Sequence, residues 1–207
     1  MKQYVHVFDQ VIRAAYPLDY EAMIHQINIH YREISADIMF AQHSQQPMDK
    51  RLDVSAYFLA LIKTLDERKE PYQTIRTVCL DIAREVVRPK NALHVYFKTL
   101  PAKLISRLPI QVLLRYINNI SKKNLHPDGF VVNIITDKET TYGLGYGIDI
   151  IECGICKLFT KHNTSQYSSI LCEIDFMTSE LAGLKLIRSG TIASGSAKCD
   201  FRFMKIP

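Results

Sequence analysis

Apolar residues recur at steps of three and four through the first 125 residues of the chain. That spacing places them on one side of a helix, as in Ile24, Ile27, Tyr31 and Ile34. Prolines break the pattern and mark where one helix ends and another begins. Helices are predicted at residues 19–41, 54–65, 71 to just before 89, 93–98 and 110–120.

The pattern changes after residue 126, where short runs rich in β-branched residues predict strands. Residues 153–160 fit a helical turn, whereas residues 167–181 fit either a helix or a strand. The segment Ser194-Gly195-Ser196 is typical of a turn between the last two strands. Strands are predicted at residues 130–135, 145–151, 184–193 and 199–205.

These elements predict an α+β fold, in which a helical N-terminal half packs on a small, mainly antiparallel C-terminal sheet. We predict one domain over residues 1–207, with a helical part at 1–125 and a mixed part at 126–207. The length of 207 residues suits one large domain.

The composition is that of an ordinary globular protein, with 47% hydrophobic and 23% charged residues. The net charge of +5 is too small to indicate a nucleic-acid partner, and we expect none. The segment from residue 84 to residue 123 contains nine basic residues and one acidic residue, Glu85. They fit a solvated helix face, a surface for an acidic partner, or attraction of an anionic substrate.

We expect a cytoplasmic protein with no membrane contact, because neither a signal peptide nor an apolar span is recognisable. Its five cysteines are an odd number, which favours reduced thiols. A homo-oligomer is left open.

No familiar catalytic signature, phosphate loop or dinucleotide motif occurs in the chain. The unusual stretch is the cysteine-rich end, with ECGICKLF, LCEIDF and LKLIRSGTIASGSAKCDFRF in that order. In that order and spacing, the blocks resemble the L-2-amino-thiazoline-4-carboxylic acid hydrolase family. The helix with His30-Tyr31-Arg32 is similar to the N-terminal region of that family. The other residues that carry the resemblance are Glu152, Cys153, Cys172, Asp175, Arg188, Thr191, Gly195, Cys199, Asp200 and Phe201.

The resemblance implies a hydrolase of bacterial-type small-molecule metabolism that opens a small cyclic amidine-like acid at a carbon–nitrogen bond. It also implies a substrate with a carboxylate. The strand pair that ends in Cys-Asp-Phe is similar, too, to the 4-vinyl reductase-type domain, which implies small-molecule binding without catalysis. Turnover separates these two hypotheses.

Two chemical routes fit such a reaction. A buried carboxylate, Asp175 or Asp200, would activate water, or a cysteine thiolate would attack the ring carbon directly. We favour Asp175 or Cys172 for the chemistry. The two residues share one side if their segment is a helix and lie on opposite faces if it is a strand. The candidate catalytic residues are Asp175, Cys172, Cys153 and Cys199.

The substrate carboxylate requires a cationic partner, and the fork of an arginine suits it. Arg188 and Arg202 lie on the two terminal strands and are expected to converge there, with Arg188 holding the acid. Asp175 and Asp200 would equally serve as structural ion-pair partners of these arginines. The candidate binding residues are Arg188, Arg202, Asp200 and His30.

The cysteine spacing also raises the alternative of a zinc site formed by Cys153, Cys156, Cys172 and Cys199. Structural zinc sites pair two close cysteines with a second close pair, and Cys172 and Cys199 lie far apart in sequence. We therefore expect no metal and no cofactor. Cys79 and Cys156 are expected to pack as small apolar side chains.

Overall fold

Seven α-helices and one four-stranded sheet form in the part of the chain that the computed structural model describes, residues 4–88, 105, 108–120, 122–123 and 125–206. The helices are α1 (Val5–Ala15), α2 (Tyr20–Asp37), α3 (Arg51–Glu67), α4 (Tyr72–Val87), α5 (Leu108–Ile120), α6 (Gly154–Lys161) and α7 (Ser168–Leu181). The strands are β1 (Val131–Ile135), β2 (Gly147–Glu152), β3 (Leu184–Ile187) and β4 (Cys199–Lys205).

Helix α3 is the central helix of the fold. Leu59, Leu61 and Ile62 are fully buried although they point in different directions around its axis. Such a helix must be covered on several sides, and α3 contacts α2, α4 and α6. Its first residue, Arg51, therefore starts a rigid element at the centre of the molecule.

The sheet has the strand order β1-β2-β4-β3, with every neighbouring pair antiparallel. Side chains along a strand alternate between the two faces. On β4, Phe201 and Phe203 are buried on the face covered by helices, so Asp200 and Arg202 lie on the other face. Helix α7 packs beside β3.

Contacts join the helical part to the sheet part. The backbone N–H of Phe130 donates to the buried Asp49 carboxylate over 2.8 Å. Tyr167 donates its hydroxyl to Asp66 over 2.6 Å. Buried residues of both parts share one apolar core. The predicted α+β packing is thus confirmed, while the single-domain assignment stays a prediction.

Most sequence-predicted elements are confirmed with small shifts of their ends, and the ambiguous segment at residues 167–181 is helical from Ser168. The predicted strand at 184–193 is wrong in its second half, because β3 ends at Ile187. A short turn follows instead, in which the Thr191 hydroxyl accepts the Ser194 N–H and Gly195 takes a φ of +88°. The predicted helix at 93–98 lies outside the described residues.

The helices of the described residues were also compared with the dimensions of a lipid bilayer. None combines the length and the apolar character that a transmembrane helix requires.

Candidate active site

Four cysteines converge on one enclosed cavity behind β2 and β4, although they come from three separate segments of the sequence. The cavity has a volume of about 20 Å³, which is room for one water molecule. Phe130 and Phe201 contribute aromatic walls. We call this space the cysteine cavity, and its charged and sulfur-bearing side chains are Arg51, Cys153, Cys156, Cys172, Asp175 and Cys199.

Asp175 carries the negative charge of the cysteine cavity and is bound by two arginines. Arg51 donates to its Oδ1 over 2.6 Å, and Arg188 donates to its Oδ2 over 3.4 Å. Arg188 also donates to the carbonyl of Cys172 over 3.2 Å. The side chain of Arg188 is 7% exposed and that of Arg51 is 39% exposed, so Arg51 is the more accessible of the two partners of Asp175.

Cys153 lies at the N-cap of α6, where backbone N–H groups point outward from the helix. A hydrogen bond from the Cys156 thiol, together with the N–H groups of Cys156 and Ile155, lowers the pKa of Cys153 to about 7 against the opposing effect of burial. Gly154 allows the tight approach, since a Cβ there would lie 3.0 Å from the Phe130 ring.

The other thiols around the cavity remain protonated at neutral pH. Burial, with the nearby Asp175 charge, raises the pKa of Cys172 to about 12. Burial also raises the pKa of Cys199, although the N–H of Ile192 donates to its sulfur over 3.2 Å. The hydrogen bond to Cys153, followed by burial, raises the pKa of Cys156. Cys153 is therefore the thiol of this cluster that ionises most easily.

Two larger spaces adjoin the cysteine cavity. A pocket of about 220 Å³, the inner pocket, shares Arg51 and Asp175 with it and has Tyr146 and Phe203 in its walls. An open groove of about 660 Å³, the outer groove, meets the cavity from the other side at Cys153 and Cys156. Cys153 and Cys156 thus line both the cavity and the outer groove, whereas Arg51, Asp175, Ile150 and Phe201 line both the cavity and the inner pocket.

The expected convergence of Arg188 and Arg202 must be corrected. Arg188 lies on the helix-covered face, with its guanidinium 5.1 Å from the centre of the Phe201 ring. Arg202 lies on the opposite face and forms an ion pair with Asp149 over 2.9 Å. Successive residues of a strand point to opposite faces, so Phe201 and Arg202 cannot share a pocket.

Asp200 lies on the same outer face as Arg202 and holds the loop that follows β3. It accepts the backbone N–H groups of Ser189 and Gly190, each over 3.0 Å. Burial tends to raise the pKa of Asp200, but the bonds from Ser189 and Gly190 outweigh it and lower the pKa. The structure thus places Asp200 in a loop contact away from the cysteine cavity.

His30 is not brought to the cavity either. Its Nε2 lies 3.0 Å from the carboxylate of Glu67, the last residue of α3. Arg51 is the first residue of the same helix, and a helix of this length spans about 24 Å. His30 and the arginine at the cavity are therefore at opposite ends of α3.

The structure brings Cys153, Cys172, Cys199 and Asp175 together with Arg188, as the cysteine-rich blocks suggested. Because the segment is helical, Cys172 and Asp175 share one side of it.

Two residues of the cavity were missed by the sequence. Arg51 carried no signal, since it begins a helix amid other charged residues and reaches Asp175 across 124 positions. Cys156 was assigned to core packing but lines both the cavity and the outer groove. Its C-x-x-C spacing from Cys153 was the available signal.

The zinc alternative was tested on the described residues. Within them, no group of three or more His, Cys, Asp or Glu side chains is arranged to hold a metal ion. The four thiols therefore line a common space without forming such a group among the described residues.

The lowered pKa of Cys153 predicts its reactivity. Thiolates rather than thiols are alkylated, so the labelling of Cys153 by iodoacetamide should rise through pH 7 and be about tenfold faster at pH 8 than at pH 6. Peptide mapping by mass spectrometry measures the rate at each cysteine. Cys172 and Cys199 serve as internal controls, which should remain unlabelled at neutral pH. Labelling of Cys172 ahead of Cys153 would contradict the assignment.

Comparisons with known proteins agree with the resemblance described from the sequence. The sequence pattern of the family described as L-2-amino-thiazoline-4-carboxylic acid hydrolase matches residues 50–203. These residues contain every side chain of the cysteine cavity. No curated protein matches significantly, and no solved structure does.

Proposed function

The chain belongs to the L-2-amino-thiazoline-4-carboxylic acid hydrolase family over residues 50–203, and on that premise we propose that its reaction takes place at the cysteine cavity. Family membership implies hydrolysis of the L-2-amino-thiazoline-4-carboxylate ring, which makes the protein a hydrolase of carbon–nitrogen bonds acting on a small carboxylate. The residues that perform this reaction are the subject of the proposal.

The Arg51–Asp175 ion pair is the observation that carries the proposal. The substrate has an anionic carboxylate at one end and an amidine-like group, cationic when protonated, at the other. A carboxylate binds such a cation through two parallel N–H donors, and an arginine binds a carboxylate in the same way. The substrate therefore inserts between Asp175 and Arg51, exchanging one ion pair for two.

Arg188 keeps Asp175 in place during this exchange. Its guanidinium is buried and bonded to both Asp175 and the carbonyl of Cys172. Two aromatic rings, those of Phe176 and Phe201, lie within 4.9 and 5.1 Å of it. In this proposal Arg188 positions the carboxylate, and Arg51 takes the substrate-binding role that the sequence gave to Arg188.

The inner pocket supplies the space for the ring. Its volume of about 220 Å³ lies below the roughly 300–1,000 Å³ of pockets for drug-sized ligands, as suits a small ring acid. Ile148 and Phe203 give it apolar and aromatic walls. Arg51 and Asp175, together with Ile150 and Phe201, line both this pocket and the cysteine cavity, and in this proposal a side-chain movement of Arg51 joins the two spaces.

Cys153 is the proposed nucleophile. Its thiolate attacks the ring carbon between sulfur and the two nitrogens, and the bond to the ring nitrogen breaks as that nitrogen takes a proton. Water then adds to the same carbon and expels the Cys153 thiolate. The product is a cysteine whose sulfur carries a carbamoyl group and whose amine is free, so the atoms balance as substrate plus one water.

The alternative in which Asp175 activates water is less well supported. A general base needs a free lone pair directed at the water. Both carboxylate oxygens of Asp175 already accept from guanidinium groups. The protonated thiol of Cys172, with its pKa near 12, is likewise a weaker nucleophile than Cys153.

The cellular setting is part of the proposal. All five cysteines are free thiols, and a thiol nucleophile functions only where it stays reduced. We therefore place the reaction in a reducing cytoplasm of the bacterial type.

Incubation of the purified protein with L-2-amino-thiazoline-4-carboxylate should yield a product heavier by one water. Because the carbon–nitrogen bond is cleaved, the product should contain a primary amine and no free thiol. Mass spectrometry and a colorimetric thiol reagent measure both properties. A free thiol would show that the carbon–sulfur bond breaks instead, and a substrate that is bound but unchanged would favour a binding module.

Arg51→Gln should raise KM about 10- to 100-fold, since it removes a charge-assisted hydrogen bond to the substrate carboxylate. The kcat should change much less, because Cys153 and Asp175 remain. The steady-state kinetics of the purified variant provide the measurement.

Arg76→Gln is the matched control for this variant. The side chain of Arg76 is 36% exposed and pairs with Glu173, much as Arg51 is 39% exposed and pairs with Asp175. Its KM should equal that of the wild type. Equal KM values for the two variants would remove Arg51 from the binding site.

A further inference from the structure

Cys153 and Cys156 form a pair whose geometry points beyond hydrolysis. Cys153 has an extended backbone, with φ −103° and ψ 110°, and Cys156 lies in the first turn of α6. Residues three apart on a helix bring their Cβ atoms to within about 5–6 Å, and a disulfide requires Cα atoms about 4.4–6.8 Å apart. The two thiols are close enough that each changes the pKa of the other.

Solvent reaches this pair from the outer groove. Both cysteines line that groove, which is about 660 Å³ in volume, and both line the enclosed cavity behind it. Cys172 and Cys199 also line the cavity but not the groove. Cys153 and Cys156 are therefore the two thiols of the cavity that also open onto this groove.

We propose that Cys153 and Cys156 are a reversible oxidation site, in which small disulfides such as glutathione disulfide convert the two thiols to an intramolecular disulfide. In the hydrolysis reaction Cys156 acts only on the ionisation of Cys153, and no bond to the Cys156 sulfur forms. The proposal therefore assigns a role to a residue that the family resemblance leaves unexplained.

The exchange proceeds in two balanced steps. The Cys153 thiolate attacks one sulfur of glutathione disulfide, which forms a mixed disulfide and releases one glutathione thiolate. Cys156 then loses its proton to solvent and attacks the Cys153 sulfur, which releases the second glutathione. Two protein thiols are oxidised, and one glutathione disulfide is reduced to two glutathione molecules.

The pKa values of the two thiols favour attack by Cys153 first and by Cys156 second. Cys153 is the thiolate of the resting protein, since its pKa is lowered to about 7. The negative Cys153 sulfur is what holds the proton on Cys156 and raises the pKa of that thiol. Once Cys153 is in a mixed disulfide its charge is gone, so Cys156 ionises more readily and completes the exchange.

Oxidation also stops hydrolysis, a consequence that rests on the proposed function of Cys153 as the nucleophile. Hydrolytic activity should fall at least about tenfold in the oxidised protein and return after reduction. The oxidation of Cys153 and Cys156 does not depend on whether Cys153 is the nucleophile of the hydrolysis.

The experiment incubates the full-length protein with glutathione disulfide and no thiazoline substrate, then measures the intact mass and maps the peptides. The expected result is a loss of two hydrogen atoms and a Cys153–Cys156 cross-link, reversed by dithiothreitol. Cys156→Ser should stop at the glutathione adduct on Cys153. Cys199→Ser is the control, in which the cross-link should still form.

Three results would overturn the proposal: no mass change, a wild-type protein that stops at the glutathione adduct, or a Cys156→Ser variant that still forms an intramolecular disulfide through Cys172 or Cys199. A hydrolysis assay on the same oxidised sample separates the two claims. A cross-linked protein with full activity would leave the oxidation site intact and reject Cys153 as the nucleophile. An active protein that does not form the cross-link would reject the oxidation site and leave Cys153 as the proposed nucleophile.

Discussion

Cys153→Ser should lower kcat at least about a thousandfold, because the variant loses the nucleophile on which every later step depends. Serine has nearly the shape of cysteine, but its hydroxyl does not ionise near pH 7. The fold should therefore persist, and binding to Arg51 and Asp175 should remain. Single-turnover kinetics with L-2-amino-thiazoline-4-carboxylate, together with binding of the unreacted substrate by calorimetry, measure the two effects separately.

Cys172→Ser is the matched control for this result. Cys172 lines the same cavity, but its pKa is raised to about 12, so it stays a protonated thiol at neutral pH. The Cys172→Ser variant should keep kcat within about threefold of the wild type. If Cys172→Ser loses activity while Cys153→Ser keeps it, the nucleophile is Cys172, as the sequence first suggested. Full activity in both variants would leave water activated by a carboxylate as the remaining route.

Asp175→Ala should destabilise the protein by about 3 kcal/mol, since it leaves a buried guanidinium without its counter-charge. Arg188 is the group left behind, because its side chain is 7% exposed and has no route to water. Arg51 is 39% exposed, so water still reaches its charge after the substitution. The expected loss of stability is therefore at the lower end of the range for buried ion pairs. Urea unfolding followed by circular dichroism measures the free energy. A single transition there would also support the one-domain prediction.

Glu173→Ala provides the comparison on the same helix. Glu173 pairs with Arg76 at the surface, where the two side chains are 35% and 36% exposed. Such a pair should contribute less than about 1 kcal/mol. The double variant Asp175→Ala/Arg188→Met should recover part of the stability, because it removes the stranded charge. Equal losses for Asp175→Ala and Glu173→Ala would refute the idea of a buried ion pair.

The periodicity of the sequence predicted α2, α3 and α4, which carry much of the core, but not α1, whose Phe8 and Ile12 are also fully buried. Ile27 and Ile34 were predicted to lie on one side of a helix, and both are fully buried. Periodicity failed where the chain is neither regularly apolar nor regularly polar. The residues after Ile187 still have a β-like composition, although β3 ends there. Asp200 accepts the backbone N–H groups of Ser189 and Gly190, and these hydrogen bonds hold the chain in a loop.

For the candidate site, the sequence indicated the cysteine-rich blocks but not how they combine. Arg202 and Arg188 looked equivalent along the chain, and the alternation of β4 placed Arg202 on the far face. Arg51 could not be found, because its partner Asp175 lies 124 positions away. The sequence also ranked Cys172 above Cys153, since nothing local reveals which thiol is ionised.

The sequence by itself determined most of the elements, the apolar face of α2 and the family to which the chain belongs, because these depend on neighbours a few positions apart. Only the tertiary structure decided which charges meet and which cysteine ionises. Ion pairing and pKa depend on burial and on partners that the fold supplies from distant segments. At Cys153 the partners happen to be local, but their effect on its pKa appears only once α6 forms and places Ile155 and Cys156 beside it.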